Sequence, residues 1–316
     1  MKKKLFATGM GGCVGHYLFD ELKKRDDLEL TFLIRSPEKV KYDLTGISII
    51  KDEFKNIAKY KSVIKDMDYI IHVLPDWGGE EGNYQETLEL FDCVDPVKVT
   101  KIIYFSTASI LGPDNKTVPE VLTCGTPYIR GKYKMHEALI KLPHFNKTVV
   151  LFPTWVLGGD EKHPYSHAYS AIKGMKKWIR PLSFLTSDLR FHFIHAKDIA
   201  GMASHLLFSD EKAREYVMGT KAVTIGDFIS AIAVRFGIKR RLRFNISQGF
   251  AGFIARVFDK KLTLWDKYCL KTFHQEFKTA DPSYFGLVTS YPDIKSIVED
   301  VFGELEESML NCFPRD

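Results

Sequence analysis

Thr8-Gly9-Met10-Gly11-Gly12-Cys13-Val14-Gly15 decides the reading of this 316-residue chain. The stretch follows a short apolar run, Leu5 to Ala7, and precedes a helix-like stretch, Tyr17 to Lys24. Glycines at 9, 12 and 15 set the spacing G-x-x-G-x-x-G across a strand-to-helix turn. A tight turn of this kind needs residues without a Cβ, so that the backbone can approach a pyrophosphate. The following helix would aim its free N–H groups and the positive end of its dipole at the phosphates. Glycine-rich turns also arise for purely structural reasons. Position favours a dinucleotide cradle running from Gly9 to Gly15, because the string opens a βαβ pattern.

Outward from the cradle, short apolar runs alternate with amphipathic helical stretches, which predicts an α/β fold with a doubly wound parallel sheet. Strands are expected at Lys4–Thr8, Glu29–Ile34, Ser48–Ile50, Tyr69–Leu74, Lys101–Ser106 and Thr148–Phe152. Helices fit between them at Val14–Lys24, Ile57–Lys65, Asn83–Cys93 and Tyr128–Leu142. A later strand is expected at Glu215–Met218 and a helix at Ile225–Phe236. Past Pro153 the pattern loosens into aromatic, basic and irregular sequence, read as a lobe over a substrate. Phe191–Phe208 reads as a strand and a helix returning to the main sheet, so the lobe is discontinuous. The division is 1–154 plus 191–224 for the cofactor domain, and 155–190 plus 225–316 for the substrate lobe.

Composition is that of a folded domain: 45% hydrophobic, 27% charged and 13% aromatic. A net charge of +5 is mild and scattered, too diffuse to argue for nucleic acid. The five cysteines are widely spaced and form no C-x-x-C pair or Cys/His cluster, so no metal site is expected. Met1-Lys2-Lys3-Lys4 begins like a secretory signal, but the apolar segment after it is short and broken by glycines. No run reaches the roughly 20 apolar residues of a membrane span. A cytoplasmic protein is expected. Phe244–Lys261 is apolar on one face, which suits a lid helix over a pocket better than a lipid-surface helix.

Three groups of residues carry chemistry. The second strand ends Ile34-Arg35-Ser36, where folds that use NAD usually place an acidic residue against the adenosine ribose. A guanidinium there can pair with a 2′-phosphate, helped by the Ser36 hydroxyl, so NADP is expected before NAD. An Arg stacked on adenine or simply solvated is the alternative. Asp52, ending the third strand, could bind the adenine amino group or merely open a loop. Tyr128 and Lys132 stand at i and i+4, on one face of a helix. An ammonium beside a phenol lowers its pKa, so Tyr128 could exchange a proton with an alcohol or carbonyl oxygen while Lys132 holds a ribose. Thr107, following the fifth strand, lies where ligand chemistry collects in such sheets and could orient the reacting oxygen.

Together these elements resemble the extended short-chain dehydrogenase/reductase superfamily. The ordered series includes T-G-x-x-G-x-x-G at 8–15 and Asp68-Tyr69-Ile70-Ile71-His72, which resembles the family's fourth strand. Asn83-Tyr84-Gln85-Glu86-Thr87 resembles N-V-x-G-T, with Glu86 for Gly. Ser106 to Gly112 resembles S-S-x-x-V-Y-G, and Pro127 to Lys132 resembles P-Y-x-x-S-K, with Gly131 for Ser. Phe152 to Gly158 resembles R-P-x-x-V-Y-G, and Phe193 to Ala200 resembles F-V-x-V-x-D-V-A. The resemblance implies a Rossmann domain, a small C-terminal substrate lobe and a Thr107/Tyr128/Lys132 catalytic set. It also implies that Val73, Leu74, Pro75 and Pro153 border the cofactor, with Trp155 beside them. Homodimers through helices 83–93 and 128–142 are implied as well.

Trp155 and Arg35 depart from the sugar-nucleotide members and resemble dihydroflavonol reductases, cinnamoyl-CoA reductases and 3β-hydroxysteroid dehydrogenases. The expected activity is therefore NADP(H)-dependent hydride transfer to or from an apolar or aromatic carbonyl or alcohol. The alternatives are a nucleotide-sugar epimerase or dehydratase that retains NAD, and a non-catalytic dinucleotide sensor.

Overall fold

A computed structural model describes residues 2–174, 183–211, 215–235, 237–238, 244–245, 249, 262–272 and 275–303. Its elements in chain order are β1 (Lys3–Thr8), α1 (Cys13–Leu22), β2 (Leu28–Leu33), β3 (Ser48–Ile50), α2 (Lys61–Ile64), β4 (Tyr69–His72), α3 (Gln85–Cys93), β5 (Lys101–Phe105), α4 (Val121–Cys124) and α5 (Pro127–Leu139). There follow β6 (Thr148–Pro153), β7 (Trp155–Leu157), α6 (His167–Gly174), β8 (Leu185–Thr186), β9 (Arg190–Phe191), β10 (Phe193–His195), α7 (Ala196–Phe208), β11 (Glu215–Met218), β12 (Val223–Thr224) and α8 (Ile225–Arg235). The last are β13 (Phe244–Asn245), α9 (Leu264–Thr272), β14 (Thr279–Ala280) and α10 (Ile294–Phe302).

Eight strands form one sheet in the order β14-β11-β6-β5-β4-β1-β2-β3, and every pairing in it is parallel. The chain leaves β1 in one direction through β2 and β3, then returns and builds the other way through β4, β5 and β6. The order therefore reverses between β1 and β4, which opens a crevice at the carboxyl ends of those strands.

Strand side chains alternate between faces, so a buried parallel strand must be apolar on both. Leu5 and Ala7 of β1 enter one core with Tyr17, Leu18 and Leu22 of α1 and Ile199, Met202 and Leu206 of α7. Phe6, one residue out of phase, enters the opposite core with Leu90 and Phe91 of α3 and Ile129, Met135 and Leu139 of α5. A third apolar cluster joins Leu157, Tyr169, Phe193 and Ile232 to Ile294, Ile297, Val301 and Phe302, residues far apart in sequence. Among the described residues no helix is long and apolar enough to cross a membrane.

Two expectations are corrected. Phe193–His195 does not join the main sheet; it pairs with Trp155–Leu157 in a separate two-stranded sheet. The outer edge of β6 is already taken by β11, with Met218 opposite Pro153, so no ladder remains open to it there. Ile194 of β10 and helix α7 both pack against the main core. The helix expected over Ile57–Lys65 is a 3₁₀ turn over Phe54–Tyr60 followed by the short α2. The 244–261 helix lies outside the described residues, apart from the strand Phe244–Asn245 and position 249.

Candidate active site

Two glycines of the string, Gly9 and Gly15, are sterically required. Gly9 has φ +80°, and a Cβ on it would lie 2.7 Å from the Leu74 nitrogen beyond β4. A Cβ on Gly15 would lie 2.4 Å from the Gly9 carbonyl and 2.6 Å from Met10 Cα. No side chain can fit where backbone meets backbone at these distances. Gly12 N–H closes the turn onto the Gly9 carbonyl at 3.0 Å, and Gly12 begins α1 with no side-chain cap. The first-turn N–H groups at Cys13, Val14 and Gly15 thus face out of the helix end, an arrangement suited to an anion. Gly11 is open, its nearest neighbour being Ile34 Cγ2 at 4.0 Å. The half-buried Cys13 thiol is pushed up to about 12 by desolvation, so the residue offers its backbone rather than a thiolate.

Two residues that sequence reasoning overlooked brace the cradle. His16 Nε2 accepts from Lys41 N–H at 3.1 Å, so its Nδ1–H donates to the Gly12 carbonyl at 2.9 Å. Burial holds this imidazole neutral, with its pKa below the ordinary value. The Tyr42 hydroxyl donates to the Met10 carbonyl at 3.2 Å. Neither contact has a sequence signal beyond His16 standing one turn after Gly12.

At the adenosine end, Arg35 is exposed and makes no ion pair among the described residues, and Ser36 is half-buried beside it. Asp52 is engaged locally. Its Oδ1 accepts from Glu53 N–H and Asn56 Nδ2, and its Oδ2 accepts from the Tyr60 hydroxyl, each at 2.7 Å. These bonds hold its carboxyl below the ordinary range.

Below the crevice a buried polar relay fixes the floor. The Thr87 hydroxyl donates to the Gly82 carbonyl at 2.8 Å, so His72 Nε2–H donates to Thr87 Oγ1 at 3.2 Å. His72 Nδ1 then accepts from the Thr8 hydroxyl at 2.7 Å. Full burial keeps His72 neutral. Val73, Leu74 and Pro75 follow directly, with Leu74 against Gly9.

The proposed catalytic residues converge at the carboxyl end of β5. Thr107 caps the turn Ala108–Ile110, accepting from Ser109 N–H at 3.3 Å, and its hydroxyl acts on the Tyr128 phenol to favour the ionised form. Helix α5 starts with Pro127 in its first turn and Thr126 as cap, which places Tyr128 in that turn facing Thr107. Lys132, one turn on, is 1% exposed. Its Nζ donates to the Phe105 carbonyl at 2.8 Å and lies 5.0 Å from the centre of the Tyr104 ring.

The electrostatics differ from expectation. Lys132 was expected to lower the Tyr128 pKa. Instead burial pushes the phenol up to about 12, opposed only by the Thr107 hydroxyl. Burial likewise pulls Lys132 down to about 7. Desolvation outweighs attraction because Nζ is turned to the Phe105 carbonyl and its charged form lacks solvent.

Pro153 ends β6, and Trp155, 47% exposed, stands edge-on to Phe191 with ring centres 6.0 Å apart. A cavity of about 330 Å³ is lined by Leu189, Phe191, Leu262, Asp266, Cys269, Leu270 and Gln275. Sequence reasoning also missed Trp77, whose ring centre lies 4.8 Å from that of Tyr128. The basic stretch Lys173–Arg180 lies largely outside the described residues, as do Trp178, Phe250 and Phe253.

The cradle, the uncapped helix end and the buried amine with a single acceptor fit a dinucleotide. A model of the NAD dependent epimerase/dehydratase family matches residues 5–219. The chain belongs to that family. It is an NAD(P)-dependent enzyme of the extended short-chain dehydrogenase/reductase type, as its motifs imply. No curated protein matches it. Among solved structures it is similar to gox2253, at 17% identity and TM-score 0.71, over 96% of this chain and 99% of that one. It is also similar to WbmG of Bordetella bronchiseptica, in complex with NAD and UDP, at 14% identity and TM-score 0.70, over 98% and 97%. The dTDP-glucose 4,6-dehydratase of Bacillus anthracis, in complex with NAD, matches at 14% identity and TM-score 0.65, over 98% and 100%. At these identities the likeness establishes the Rossmann-type fold alone.

Proposed function

We propose that this enzyme moves a hydride between a nicotinamide cofactor and a carbinol or carbonyl carbon of a small molecule, with Tyr128 as general acid–base. The observation that carries the proposal is the burial of Lys132 against the Phe105 carbonyl at the carboxyl end of β5, where Thr107 follows, one helix turn from Tyr128. The backbone from Gly9 to Gly15 would hold the pyrophosphate and Lys132 the ribose. Val73, Leu74, Pro75 and Pro153 would border the ring, and Arg35, Ser36 or Asp52 would meet the adenosine.

When bound, the nicotinamide supplies or accepts the hydride. Tyr128 is protonated as it stands and would donate its proton to a carbonyl oxygen during reduction; in oxidation the phenol would first lose its proton to solvent, and its phenolate would then take the proton of the alcohol. Thr107, whose hydroxyl favours the phenolate, would orient the reacting oxygen. Lys132, once its ammonium gains hydroxyl acceptors, supplies the positive charge that favours the phenolate.

For the substrate, the family match and the nucleotide-sugar enzymes among the structural neighbours support an epimerase or dehydratase that retains NAD. A second reading, NADP(H)-dependent reduction of an apolar carbonyl, is favoured by exposed Arg35 and by the leucines and phenylalanine lining the 330 Å³ cavity. The two separate on one preparation. Purified protein that carries NAD and consumes no reduced cofactor supports the first. Net NADPH oxidation with an aldehyde or ketone panel supports the second. Either activity should fall at least about 100-fold in Tyr128→Phe, and turnover at the wild-type rate there removes the proposed acid.

A further inference from the structure

The loop from Asp76 to Asn83 has no part in the cofactor cradle, yet it is built with unusual care. The Asp76 carboxylate accepts from Gly78 and Gly79 N–H at 3.2 and 3.1 Å. A Cβ on Gly82 would fall 2.7 Å from the same carboxylate. Asn83, 1% exposed, accepts from Asp76 N–H and donates to the Asp76 and Gly79 carbonyls. Glu80 then pairs with Arg130, at 2.8 Å, and with Lys134, both on α5.

The loop presses on α5 so closely that a Cβ at Gly131 would lie 2.6 Å from the Glu80 carbonyl and 2.8 Å from Asn83 Cβ. That contact explains why glycine stands in P-Y-x-x-G-K where the resemblance led us to expect serine. The docked loop carries Trp77. Its ring centre lies 4.8 Å from Tyr128 on α5 and 4.8 Å from His167 at the start of α6. Despite both contacts Trp77 remains 55% exposed.

We propose that Trp77 is a specificity-determining residue: with His167 it forms an aromatic wall across the approach to Tyr128, against which a ring of the substrate packs. The inference rests on Tyr128 being the reacting group and adds what the reacting molecule must offer, a flat ring or the C–H face of a sugar. Indole suits both, since its face is apolar and electron-rich. Its ring contacts are with Tyr128 and His167, which places it to act on the substrate rather than on the dinucleotide.

The test is calorimetric binding to the full-length protein saturated with NADH or NADPH. The probes are UDP-glucose, for a pyranose, and cinnamaldehyde, for an aromatic carbonyl. Wild type is expected to bind one of them. Trp77→Ala should weaken that binding about ten-fold, the scale of a lost ring contact. Trp77→Phe should stay within about three-fold, and cofactor affinity should be unchanged in both. Gly131→Ser, which shifts the loop without touching the indole, should weaken the probe as Trp77→Ala does. Binding of neither probe by wild type overturns the proposal, as does Trp77→Ala binding as tightly as wild type. Turnover is read separately: a Trp77-dependent probe that binds and is never oxidised or reduced refutes hydride transfer and leaves the wall standing.

Discussion

Gly15→Ala tests whether the cradle is set by backbone contact or by helix propensity. Gly15 lies in the first turn of α1, where glycine ordinarily costs a helix about 1 kcal/mol relative to alanine. On propensity alone the substitution stabilises. The added Cβ, however, would stand 2.4 Å from the Gly9 carbonyl and 2.6 and 2.8 Å from Met10 Cα and C, all backbone. Relief to the 3.4 Å of an ordinary contact needs a displacement of about 1 Å between helix and turn. Overpacking of this kind costs about 1–3 kcal/mol, so the net effect is a loss of up to about 2 kcal/mol. The same displacement moves the helix end from any phosphate it holds, so affinity for both cofactors should fall. Gly201→Ala is the control. Gly201 lies in α7 with nothing within 4 Å of its Cβ position, so it should gain about 0.5–1 kcal/mol. The assays are urea unfolding and fluorescence titration with NADH and NADPH. If Gly15→Ala gains stability as Gly201→Ala does and binds both cofactors like wild type, the steric account of the cradle is refuted.

Tyr128→Phe should keep cofactor affinity and lower kcat by about 10²–10⁴-fold, measured on whichever probe turns over. Lys132→Met carries a pH prediction. Because the folded-state pKa is depressed from 10.5 to about 7, the unfolded chain binds more protons between those values. Wild-type stability should therefore rise with pH, at up to about 1.4 kcal/mol per unit from this group between pH 7.5 and 9.5. Lys132→Met should lose that slope, and equal slopes by urea unfolding at the two pH values would count against a desolvated amine. Arg35→Asp should shift the NADPH-to-NADH affinity ratio at least ten-fold towards NADH if the guanidinium reads a 2′-phosphate. An unchanged ratio assigns Arg35 to solvent.

The elements that were legible are those whose signal is local. The six early strands and α1, α3 and α5 lie within a few residues of expectation, because a buried strand or an amphipathic helix must show its period in its own residues. Thr107, Tyr128 and Lys132 were legible as motif positions, and the glycine spacing as a turn. The return strand Phe193–His195 was misplaced because its partner depends on which sheet edge remains open, a property of β11 and not of its own sequence. His16, Tyr42, His72, Thr87 and Trp77 escaped because each acts through a partner distant in sequence or through a loop without period.

From sequence alone come the fold class, the place of the candidate phosphate cradle and the candidate acid, since these rest on periodicity, on glycine where no Cβ fits, and on i, i+4 helix geometry. Only the tertiary structure decided the protonation balance. Whether the phenol lies above or below its ordinary pKa depends on burial, and the Lys132 amine is likewise set by burial, its Nζ turned to the Phe105 carbonyl; these are properties of packed neighbours. It also decided why residue 131 is glycine and what stands over Tyr128, because a loop and a helix that meet across the crevice leave no mark in either stretch taken by itself.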